Sequence, residues 1–66
     1  MEILKGFLVI KQDGMNIMYT MSIIVDEKGN ITNPNKRSSF YVMDNEVNQK
    51  LKDIEDYLSE RINSAE

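Results

Sequence analysis

Sixty-six residues, a net charge of −3, 41% apolar content and a complete lack of cysteine and histidine set the limits for this chain. A domain this small buries only ~60% of the surface its unfolded form exposes, so it needs help from disulfides, a structural metal, oligomerisation or an unusually good core. Disulfides and a conventional zinc site are excluded for want of ligands.

Mixed charge and ample apolar content point to one folded domain over residues 1–66 rather than a disordered segment. The charge is unevenly spread. Residues 1–43 carry five bases against four acids, and residues 44–66 carry three against seven, a balance of −4. The apolar run at residues 3–10 is too short to span a bilayer and lacks the flanks of a signal peptide, so a cytoplasmic protein is expected.

The first element is a β-hairpin. Asp13-Gly14 between alternating apolar residues is a strong turn signal, because a type I′ turn needs positive φ at both central positions. Strands over residues 2–12 and 15–26 then pair Ile10 with Ile17, Leu8 with Tyr19, Gly6 with Met21 and Leu4 with Ile23. Since side chains alternate, these residues share one face, apolar apart from Gly6. The other face pairs Val9 with Met18, Phe7 with Thr20 and Ile3 with Ile24, and also carries Lys5 and Lys11. Gly6 marks a bend or a close approach.

Asp26-Glu27-Lys28-Gly29-Asn30 is a turn by composition. Ile31-Thr32 is a candidate for brief pairing as a fourth strand before Asn33-Pro34-Asn35 interrupts it, and a third strand is expected over residues 38–43. Whether Phe40 and Val42 or Tyr41 and Met43 face the core is left open. A helix follows over residues 44–63, capped by Asp44 or Asn45. Val47, Leu51, Ile54, Leu58 and Ile62 form one stripe at helical spacing. The expected fold is α+β: an antiparallel sheet with this amphipathic helix packed on the clean, Leu4–Ile23 face.

No constellation for chemistry emerges. The serines have no histidine or thiol beside them, the three glycines suit strand and turn positions, and no cofactor or catalytic residue is expected. Asp53, Glu55, Asp56 and Glu60 suggest an acidic recognition face or, more remotely, an oxygen-ligand metal site; a solvated helix surface explains them as well. Lys5, Phe7 and Lys11, with Lys36, Arg37, Phe40 and Tyr41 nearby, combine cations and stacking rings as single-strand nucleic-acid binders do. An ordinary outer sheet face with protective lysines explains the same residues, and the overall acidity weighs against nucleic acid.

The preferred reading is a non-enzymatic protein-interaction module. Ile3, Lys5, Phe7, Val9, Lys11, Met18 and Ile24 form its expected surface, because one helix covers one side of a sheet and a contiguous apolar patch marks an interface. The partner is a second copy or a foreign protein; internal cover by the 26–37 segment is the competing account. In size and composition the chain resembles small accessory proteins of phages and mobile elements, many of which bind and inhibit a host protein. Its richness in Ile, Asn, Lys and Met suits a low-GC bacterium or its phage.

Overall fold

A computed structural model of the chain describes residues 1–64. Strands β1 (Glu2–Gln12), β2 (Met15–Val25) and β3 (Ile31–Tyr41) form one antiparallel sheet in the order β1-β2-β3, and helix α1 (Asn45–Ser64) follows. The fold is α+β, as the patterning implies.

The hairpin turn has the expected geometry. Asp13 and Gly14 lie at φ 53° and 78°, the left-handed values of a type I′ turn. From Gln12↔Met15 to Gly6↔Met21 the pairing follows the turn without a slip. Beyond Gly6, β1 carries an extra residue at Lys5. Leu4 consequently meets Ser22 and Ile3 meets Ile23, which overturns the expected Leu4–Ile23 and Ile3–Ile24 pairs. A bulge offsets all later pairs by one position, so Leu4 and Ile3 exchange faces.

β3 is longer than the sequence suggests, starting at Ile31 rather than residue 38 and taking up the candidate fourth strand. Pro34 is tolerated because β3 is an edge strand, where a missing N–H need not break a ladder. The register shifts twice around it, and Asn33 Oδ1 accepts the Asn35 N–H at 3.0 Å within the irregular stretch. The preceding turn is organised by Asp26, whose Oδ1 accepts the N–H groups of Lys28 and Asn30 at 2.9 Å each.

The helix is capped by Asp44, whose Oδ1 accepts the N–H groups of Glu46 and Val47. Its attachment to the sheet is a small ring of hydrogen bonds. The Asn16 Nδ2 donates to Asn48 Oδ1 at 2.9 Å, the Asn48 Nδ2 donates to the Val42 carbonyl at 3.0 Å, and the Val42 N–H donates to the Asn16 carbonyl at 2.9 Å. Lys11 Nζ adds an ion pair to Glu55 Oε2 at 2.8 Å.

These contacts correct the expected helix position. Lys11 and Asn16 are paired residues on the Phe7–Val9–Met18 face, so the helix sits at the turn end of that face and not on the clean one. The open question about strand three is also decided: Phe40 lies opposite Met18, which places Phe40 and Val42 on the helix side. The buried apolar core is Ile17 (7% exposed), Val42 (5%) and Leu51 (8%). Ile17 belongs to the clean face, where it pairs with Ile10 on one side and Tyr41 on the other.

Replacing Asn48 by leucine is expected to leave the Asn16 amide without its acceptor in a part-buried site and to cost about 1–3 kcal/mol. Urea unfolding monitored by helical circular dichroism measures that loss.

The far end of the sheet holds two carboxylates below their ordinary range. The Lys36 ammonium (2.8 Å) and the Ser22 hydroxyl (2.6 Å) hold the Glu2 carboxyl below its ordinary value of 4.5. Backbone N–H groups, first that of Asn30, hold Asp26 below its ordinary 3.8. A depressed carboxylate stabilises the folded state above its unfolded-state value, and that contribution is lost as pH falls through the folded value. Protection of the Val25, Lys28 and Asn30 amides should therefore fall as pH drops below about 4. Glu2→Gln should remove the Glu2 share of that response in a hydrogen-exchange series.

Candidate interaction surface

The expected surface is brought together in part. Phe7, Val9, Lys11, Met18 and Ile24 share the helix-side face, with Val9, Met18 and Ile24 half-buried. Ile3 is moved to the opposite face by the bulge, and Lys5 is the bulged residue itself. Leu4 takes the place of Ile3, and Phe40 joins from β3 beside Met18.

Neither sheet face is covered along its length. Leu8 and Ile10 on the clean face are 58% and 46% exposed, and Phe7 and Phe40 on the helix side are 63% and 53% exposed. The internal-cover account is thereby overturned, since residues 26–37 form the β2–β3 turn and part of β3 within the sheet rather than a lid over it. On the clean face a shallow depression opens over Gly6, bordered by Leu8, Tyr19, Met21 and Arg37. A Cβ built on Gly6 meets nothing within 4 Å.

The helix adds a surface the sequence reading did not single out. Leu51 is buried, yet Ile54, Leu58 and Ile62 in the same stripe remain exposed. Helix length was the available signal. At ~1.5 Å per residue, crossing two strand spacings of ~4.8 Å takes only about seven residues, so a 20-residue helix lying across three strands must overhang.

The cations and rings considered for nucleic acid are dispersed. Lys36 and Phe40 lie on the helix side, whereas Arg37 and Tyr41, opposite Met21 and Ile17, lie on the other. Lys11 is paired with Glu55 and Lys36 with Glu2. Asp53, Glu55 and Asp56 of the helix are likewise engaged within the chain. Asp53 accepts from Gln49, Asp56 pairs with Lys52, and Glu55 faces the sheet, apart from Asp53, Asp56 and Glu60 around the helix.

Among the described residues no group of three or more acidic, histidine or cysteine side chains could hold a metal ion, and no helix is long and apolar enough to cross a membrane. Comparison with protein-family models, curated proteins and solved structures finds no match for this chain.

Because the space over Gly6 is open, Gly6→Ala is expected to raise stability by about 0.5–1 kcal/mol, the ordinary cost of glycine within a strand. A shift of the urea midpoint at unchanged slope is the corresponding observation.

Proposed function

We propose that this chain is a non-catalytic protein-interaction module whose exposed apolar surface is covered by another polypeptide in its working state. One observation carries the reading. The accessible surface is 5693 Å², whereas a compact monomer of this mass exposes about 4,300 Å². The excess of about 1,400 Å² is larger than the ~800 Å² each partner contributes to a standard interface. The radius of gyration agrees, at 15.6 Å against about 11 Å for a compact chain of this length.

The apolar composition of that surface supports the same reading. Leu8 and Ile10 on the clean face and Phe7 and Phe40 on the helix side are large and exposed, where a soluble monomer keeps such patches small. Methionines at 18 and 21 add adaptable contact area.

Phe7→Asp and Phe40→Asp replace exposed side chains, so each should change single-chain stability by no more than about 0.5 kcal/mol. Each should nevertheless abolish the assembly. Native mass spectrometry of the purified chain is expected to show species heavier than 7.7 kDa, lost in either variant. A chain isolated under native conditions from the cells that make it as a folded 7.7 kDa species, bound to neither a second copy nor another polypeptide, overturns the proposal.

A further inference from the structure

We infer that the partner is a second copy of this chain, joined by antiparallel pairing of β1 with β1 so that each helix extends over the helix-side face of the other copy. This rests on the interaction reading above and names its occupant.

The two edges of the sheet are built differently. β3 carries Pro34, two register irregularities, Lys36 and Arg37, all of which discourage another strand from adding. β1 has a single bulge at Lys5, and from Gly6 to Gln12 it runs in regular register without a proline. Its outward backbone groups can be assigned. The Asn16 carbonyl accepts the Val42 N–H, so the backbone of Asn16 faces β3 and that of its cross-strand partner Lys11 faces away from β2. By alternation, Phe7, Val9 and Lys11 present their N–H and C=O groups to the open edge.

The helix reaches past that same edge. Asn48 meets Asn16 on β2, and Glu55 meets Lys11 on β1. The nine residues from Asp56 to Ser64 extend about 13 Å further along the helix axis, in the direction that leads from β2 to β1 and beyond. Leu58 and Ile62 on this overhang continue the stripe of Leu51 but remain exposed. A strand added beside β1 would lie beneath them.

A two-fold axis normal to the sheet provides that strand. A strand paired with its own copy about such an axis is antiparallel, and equivalent faces lie on the same side. Each overhanging helix then lies over the other copy's β1, on the face that carries Leu4 and Phe7. The exposed excess of about 1,400 Å² per chain is enough for this contact, since a standard interface needs ~800 Å² from each partner.

The test combines native mass spectrometry with residue-resolved amide exchange on the whole chain. The wild type should weigh twice 7.7 kDa, with the Phe7, Val9 and Lys11 amides exchanging slowly. Phe7→Pro removes an outward N–H while sparing the β1–β2 ladder, and Leu58→Glu places a charge on the overhang; each should return the mass to a single chain. Should Phe7→Pro fail to fold, Leu58→Glu and the wild-type amides decide the matter. A dimer in which those three amides exchange freely overturns the proposal. A folded lone chain in the purified sample overturns the proposal and leaves the interaction reading standing if isolation from cells yields one copy bound to a different polypeptide; a lone chain from that isolation as well overturns both.

Discussion

The helix is tied to the sheet by one ring of amide hydrogen bonds, and the rest of the architecture depends on where that ring lies. Asn16 donates to Asn48, Asn48 to the Val42 carbonyl, and Val42 back to the Asn16 carbonyl. The ring joins β2, the end of β3 and the first turns of α1 at one point. With Leu51 buried beside it and Lys11 paired to Glu55, it settles which face the helix occupies and sends its distal half past β1.

A polar anchor at one end leaves little room for a core. Among the described residues three apolar side chains are buried, and most of the large ones on both sheet faces remain in contact with water. Burial of apolar surface is the main favourable term in folding, at about 25 cal/mol per Å². With no cysteine in the chain, no disulfide supplements that term. The exposed sheet faces, the open β1 edge and the overhanging helix are thus connected features, all produced by a small sheet whose helix crosses it at one end.

Electrostatics organises the opposite end of the sheet. Ser22 is buried and donates to Glu2, which also receives Lys36 from β3, so one carboxylate links all three strands beyond the bulge. Leu4, which alternation from the turn would place on the clean face, is displaced to the side that carries this cluster. The same pairings neutralise two of the lysines that suggested a phosphate-binding patch.

Local chemistry made much of this fold legible in the sequence. Asp13-Gly14 specifies its turn because few other residues adopt positive φ there, and the register from Gln12 to Gly6 follows by counting. The helix limits follow from the Asp44 cap and the 3.6-residue stripe. The α+β class and the three antiparallel strands come from the same local signals. Only the tertiary structure decided the bulge at Lys5, the continuation of β3 through Pro34 and the face taken by the helix. Those features depend on contacts between residues far apart in the chain. The clean apolar face looked like the helix's natural seat by hydrophobicity alone, but a bond between two asparagines 32 positions apart placed the helix on the other side.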